Sequence, residues 1–87
     1  MKVGFAGEGW ADYLYWQQKD KKILKRINEL LLSIDIEGPL KGLGKPEVLK
    51  YRTNSYSRRI DNKNRLVYEI INDMIVVKSC LGHYEEK

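Results

Sequence analysis

The hydrophobic residues of this chain change period half-way along it, from a helical repeat to a strand repeat. In the first half, Ile23, Ile27, Leu30, Leu31 and Ile34 recur at helical intervals, flanked by Lys21, Lys22, Lys25, Arg26 and Glu29. That spacing predicts an amphipathic helix lying on a sheet. In the second half, Leu66, Tyr68 and Ile70 alternate with Arg65, Val67 and Glu69, which predicts a strand with two unlike faces. Helices followed by strands within 87 residues point to an α+β fold, with two N-terminal helices on one face of a mostly antiparallel, twisted sheet of four to five strands.

The remaining elements follow from local signals. Lys2–Phe5 reads as a short first strand, and a first helix is expected from Gly7 or Glu8 to about Lys19. Trp10, Tyr13, Leu14 and Gln17 share a helical spacing there and read as core. Asp20 is a good cap for the second helix, because its carboxylate accepts from first-turn amides. Gly38-Pro39 ends that helix, and Gly42, Gly44 and Pro46 mark a loop over 38–46. Strands are expected at 48–51, 56–60, 65–71 and 74–81, with turns at Asp61-Asn62-Lys63 and Asn72-Asp73. The last strand is apolar enough to be interior. The order is β-α-α-β-β-β-β in a single domain over 1–87.

Composition narrows the function classes. Sixteen Lys and Arg against twelve Asp and Glu give a net charge of +4, which suits nucleic acid, an anionic surface or an acidic protein partner. Cys80 is the only cysteine, so no internal disulfide forms and a reducing cytoplasm is the default. It lies in an apolar run and reads as a small buried hydrophobe. The opening Met1-Lys2-Val3-Gly4-Phe5 is too soon polar for a signal peptide, and no stretch approaches the roughly 20 apolar residues of a membrane span. No His, Cys and Asp cluster has metal-ligand spacing. Gly42-Leu43-Gly44-Lys45 does not match a phosphate-cradling loop. No cofactor is expected.

One constellation fits a reaction. Metal-free RNA cleavage needs a base for the ribose 2′-hydroxyl, an acid for the departing 5′-oxygen, and cations for the phosphoryl oxygens. Glu47, His83, Lys50, Arg59 and Arg65 are suitable residue types. A turn centred on Asn62 sets Arg59 opposite Arg65, with Cβ atoms about 5 Å apart. Two like charges that close call for an anion. A phosphate supplies one, and so does Glu69, on the same face as Arg65. The pattern alone leaves both open.

The sequence resembles the YoeB family of toxins within the wider RelE-like group, whose fold is also microbial ribonuclease-like. The resemblance rests on Trp10-Ala11-Asp12-Tyr13-Leu14-Tyr15-Trp16-Gln17, Lys25-Arg26-Ile27-Asn28-Glu29-Leu30, Gly42-Leu43-Gly44-Lys45-Pro46-Glu47-Val48-Leu49-Lys50, Ser57-Arg58-Arg59-Ile60, Asn64-Arg65-Leu66-Val67-Tyr68 and His83-Tyr84. These pieces occur in family order and span nearly the whole chain. The resemblance implies a ribosome-dependent mRNA endonuclease, the toxin of a type II toxin–antitoxin module. Its implied partners are a YefM-like antitoxin and the 70S ribosome with mRNA in its A site; a homodimer is left open. It also implies that Glu47 is the general base, His83 the general acid and Arg65 the transition-state cation. Lys50 and Arg59 are then basic residues of the same face, and Tyr84 helps set the site.

Three departures stand out. Ala6-Gly7 replaces the usual Ser or Thr with Glu, which weakens the first helix cap. The segment Tyr51-Arg52-Thr53-Asn54-Ser55-Tyr56 is one residue short, with Tyr in place of Trp. Glu85-Glu86-Lys87 follows His-Tyr, and carboxylates near His83 favour its protonated form. Rival readings are a non-catalytic toxin of this fold acting on DNA gyrase, a plain RNA-binding module and an antitoxin-binding scaffold. The first needs no Glu47, Arg65 and His83-Tyr84 together. The second calls for stacking aromatics on the sheet face, where Arg59, Arg65 and Val67 offer few. The third is compatible with catalysis.

Overall fold

The computed structural model describes residues 1–50 and 52–82. Its elements are β1 (Lys2–Phe5), α1 (Gly9–Lys19), α2 (Lys21–Glu37), β2 (Glu47–Val48), β3 (Ser55–Arg59), β4 (Arg65–Ile71) and β5 (Met74–Ser79). They build a five-stranded sheet in the order β1-β5-β4-β3-β2. Only the β1–β5 pairing is parallel, so the mostly antiparallel α+β architecture expected from the change of period is the one observed. β5 is interior, as its apolar run requires.

The helices meet at Asp20. Its amide donates to the Trp16 carbonyl at 3.0 Å, closing α1. Its carboxylate accepts from the amides of Lys22 and Ile23 at 3.0 and 3.3 Å, opening α2. The stripe on α2 then buries Ile27, Leu30 and Ile34 against Leu66, Tyr68, Ile75 and Val77 of the sheet. Leu66 and Tyr68 face the helices, so Arg65, Val67 and Glu69 face the other way.

Several boundaries and one helix face differ from the sequence reading. Glu8 precedes α1 and makes no side-chain capping bond. α1 is turned relative to the expected stripe. Trp10 is 52% exposed and Leu14 is exposed, whereas Asp12 and Trp16 are buried. The reason is polar. The Asp12 carboxylate accepts from the Cys80 amide at 2.9 Å, and the Trp16 indole donates to the Cys80 carbonyl at 2.7 Å. Both backbone groups of Cys80 are thereby satisfied inside the protein. Trp10 stacks on Tyr13 near the surface instead. Gly9 has no room for a side chain, since a Cβ there would lie 2.1 Å from the Val77 carbonyl oxygen. β2 is shorter than the expected 48–51 and begins at Glu47; Tyr51 lies outside the described residues. β3 starts one residue earlier and ends one earlier than expected, and β5 stops at Ser79.

Candidate active site on the open face of the sheet

The face of the sheet turned away from the helices is built by strand register. Glu47 of β2 stands opposite Ser57 of β3, Ser57 opposite Val67 of β4, and Val67 opposite Ser79 of β5. One step nearer the hairpin end, Arg59 stands opposite Arg65. The expected juxtaposition of the two arginines is therefore present.

The anion beside Arg65 is Glu47. Its Oε1 lies 3.9 Å from Arg65 Nη1, with the Glu47 side chain 61% exposed and that of Arg65 14% exposed. Glu69, the alternative partner read from the sequence, is engaged with Lys78 at 3.9 Å. A separation of 3.9 Å at an exposed carboxylate is a loose pairing, worth little in itself. It leaves the Arg65 guanidinium available to a stronger anion. The arrangement holds a solvent-facing carboxylate, suited to accept a proton, next to two cations suited to bind a phosphoryl group. Arg59 is exposed on the same face, and Lys50 is exposed in the turn that follows β2. Neither side chain makes a hydrogen bond or ion pair among the described residues.

Glu47 and Arg59 are positioned by a buried residue that the sequence reading passed over. Arg58 is fully buried, and its guanidinium donates five hydrogen bonds. Nε donates to the Tyr68 phenol at 2.9 Å. Nη1 donates to Ser33 Oγ at 3.0 Å and to the Leu43 carbonyl at 2.8 Å. Nη2 donates to the carbonyls of Gly38 and Lys41 at 2.8 and 2.6 Å. The guanidinium thus gathers the loop 38–44 that leads into Pro46 and Glu47. Gly44 completes the join, accepting from the Arg59 amide at 2.6 Å. A Cβ at Gly44 would lie 2.9 Å from the Arg59 carbonyl oxygen, and its φ of +84° favours glycine in any case. Burial holds the Tyr68 phenol above its ordinary pKa, against the opposing pull of Arg58.

The hairpin behind the arginines is an Asx turn. Asp61 Oδ1 accepts from the amides of Lys63 and Asn64 at 2.8 and 2.7 Å. Burial acts to raise the Asp61 pKa, but those amides, the Asn64 side chain and the Lys63 charge together outweigh it and hold the carboxyl below its ordinary value. Asn64 Oδ1 in turn accepts from the Gly82 amide at 2.8 Å, and the Arg65 amide donates to the Gly82 carbonyl at 3.0 Å. The chain leaving β5 is therefore tied to Arg65 at the residue before His83. His83 and Tyr84 themselves lie outside the described residues. Among the described residues no group of three or more His, Cys, Asp or Glu is placed to hold a metal ion, and no helix is long and apolar enough to cross a membrane. Cys80 is fully buried; burial, with the Asp12 carboxylate adding to it, pushes its thiol up to about 12.

Residues 5–84 match the YoeB-like toxin of bacterial type II toxin–antitoxin systems. The chain belongs to this family. It is 48% identical to Toxin YoeB of Synechocystis sp. over 86 residues, 98% of this chain and 99% of that one. Solved YoeB structures share the fold. A YoeB–YefM complex from Staphylococcus aureus superposes with a TM-score of 0.88 at 48% identity, covering 97% of this chain and 98% of that one. A YoeB dimer from the same organism gives 0.89 at 47% identity, with the same coverage. The YoeB assignment read from scattered motifs thus holds over nearly the whole chain.

Proposed function

We propose that this chain is a ribosome-dependent mRNA endonuclease. The observation that carries the reading is the Glu47–Arg65–Arg59 cluster on the open face. An exposed carboxylate lies 3.9 Å from the Arg65 guanidinium, and Arg59 stands opposite Arg65 in the strand register. Glu47 takes the proton of a ribose 2′-hydroxyl, and the resulting oxygen attacks the adjacent phosphorus. The phosphorus–5′-oxygen bond breaks, and His83 protonates the departing oxygen. The products are a 2′,3′-cyclic phosphate, or the 3′-phosphate from its hydrolysis, and a free 5′-hydroxyl. Arg65 and Arg59 stabilise the charge gathering on the phosphoryl oxygens, Lys50 contributes to phosphate binding, and Tyr84 orients the site. The tie between Gly82 and Arg65 supports the role given to His83, the next residue in the chain. All of these groups are side chains, so the mechanism calls for no metal or cofactor.

The partners follow from the same face. A +4 chain with an open basic face suits an acidic, YefM-like antitoxin that covers the site, and the 70S ribosome with mRNA in its A site is the substrate complex. Complex formation with YefM and dimerisation are both described for S. aureus YoeB, and we extend both to this chain, acting in the cytoplasm. The test is to present one message free and on programmed ribosomes. Cleavage only on the ribosome, leaving 5′-hydroxyl ends, is expected. Equal cleavage of the free message, or none of either, contradicts the reading.

A further inference from the structure

The chain leaves the sheet at Ser79, the last residue of β5, and runs on through Cys80 and Leu81 to Gly82. Cys80 is anchored by Asp12 and Trp16, whereas Leu81 and Gly82 are exposed. Gly82 has no side chain to pack, and its φ of +89° lies where glycine moves freely and other residues do not. Two hydrogen bonds restrain it. The Gly82 amide donates to Asn64 Oδ1 at 2.8 Å, and the Gly82 carbonyl accepts from the Arg65 amide at 3.0 Å. Peptide units are planar, so the two bonds fix the planes on either side of Gly82. They thereby set the direction in which the chain leaves it.

The Asn64 side chain can be read one way only. Its Nδ2 donates to both carboxylate oxygens of Asp61, at 3.1 and 3.2 Å. An ionised carboxylate only accepts, so the amide nitrogen faces Asp61 and the amide oxygen faces Gly82. The backbone of Asn64 is pinned as well. Its amide donates to Asp61 Oδ1 at 2.7 Å, and its carbonyl accepts from the amides of Ile60 and Asp61 at 3.0 and 3.3 Å. Asn64 is 7% exposed, so water competes little for these bonds.

The turn itself does not call for this amide, since Asp61 already takes the backbone amides of Lys63 and Asn64. What the Asn64 amide oxygen adds is a bond out of the hairpin, across to the segment that follows β5. Arg65 is the residue after Asn64, and His83 is the residue after Gly82. One clamp therefore sets the segment that carries the proposed acid against the residue that carries the proposed cation.

We infer that Asn64 is a positioning residue for the acid step, holding His83 in register with Arg65 through Gly82. The inference rests on the ribonuclease reading above, which gives His83 the proton of the departing 5′-oxygen. The test is single-turnover cleavage of programmed ribosomes by wild type, Asn64→Leu, His83→Gln and the double variant, with circular dichroism as the folding control. Two messages are compared, an ordinary one and one with sulfur in place of the departing 5′-oxygen at the cut bond. Sulfur leaves as a thiolate, without a proton, so the second message bypasses the acid. On the ordinary message, Asn64→Leu is expected to cut about 10- to 100-fold more slowly at saturation, with an unchanged half-saturating concentration. The double variant is expected to be no slower than His83→Gln, and the sulfur message to return Asn64→Leu to near the wild-type rate. A loss that multiplies with that of His83→Gln, or one that sulfur does not relieve, makes Asn64 merely structural and overturns the inference. A wild-type rate for Asn64→Leu beside a slow His83→Gln overturns it too, and leaves the ribonuclease reading standing. No cutting by wild type, or a His83→Gln as fast as wild type, refutes instead the reading on which the inference rests. If Asn64→Leu does not fold, Asn64→Ser, whose hydroxyl is too short to span Asp61 and Gly82, is judged by the same outcomes.

Discussion

Arg58 Nε donates to the Tyr68 phenol at 2.9 Å, and that phenol donates in turn to the Pro39 carbonyl at 2.6 Å. A guanidinium and a phenol, neither at the reaction centre, thus fix the loop that delivers Glu47. The neighbouring Arg59 points the other way, and its side chain makes no hydrogen bond or ion pair among the described residues. The two adjacent arginines should therefore fail differently. Arg58→Met leaves several buried acceptors unsatisfied, at about 1–3 kcal/mol each, and should lower Tm by 10 °C or more, given about 4–8 °C per kcal/mol in a domain this small. Arg59→Met should move stability by less than about 0.5 kcal/mol while reducing cleavage. Calorimetry and a cleavage assay on both variants check this.

That contrast also marks where the sequence ceased to be informative. The alternation through Leu66, Tyr68 and Ile70, the α2 stripe and the Asp20 cap were legible because each is a local pattern with one physical solution. Arg58 and Arg59 are identical in type, and only the register of β3 against β4 decides which is buried. The face of α1 was misjudged for a related reason. Hydrophobic spacing favoured Trp10 and Leu14, while a carboxylate and an indole serving Cys80 from sixty-odd residues away fixed Asp12 and Trp16 inside. The Arg59–Arg65 pairing was readable from the turn, but the anion beside Arg65 was not, since Glu47 reaches it from β2, on the far side of β3.

Cys80 should be inert in the folded protein. Its pKa is raised from 9.0 to about 12, so the thiol stays neutral at pH 8, and the thiolate is the reactive form. Labelling by a disulfide reagent should be slow natively and fast in guanidinium. The linkage runs with the raised value: the contribution to stability is complete below about pH 9 and is lost as pH rises toward 12.

Asp61 gives an opposite dependence. Its folded pKa lies below the ordinary 3.8, so the stability it confers is present above that value and is lost as pH falls through the depressed one. The Tm difference between wild type and Asp61→Ala should be constant near neutral pH and shrink below about pH 4. A difference independent of pH would remove the charge-based account of this turn.

Cleavage should not depend on a metal held by the protein. Toxin stripped with a chelator and then added to magnesium-containing ribosomes should cut at the rate of untreated toxin. A requirement for zinc or another ion added back to the toxin would contradict the side-chain mechanism.

The central claim is the division of labour among Glu47, Arg65 and His83. A positioned acid or base contributes typically about 10²–10⁴ in rate, and one donor to the developing charge about 10²–10³. The most direct measurement is single-turnover cleavage of programmed ribosomes by Glu47→Gln, Arg65→Ala and His83→Gln, with circular dichroism as the folding control. Each variant is predicted to remain folded and to cut at least about a hundredfold more slowly. Near wild-type rates for both Arg65→Ala and His83→Gln would contradict the assignment and leave the open face as a binding surface only.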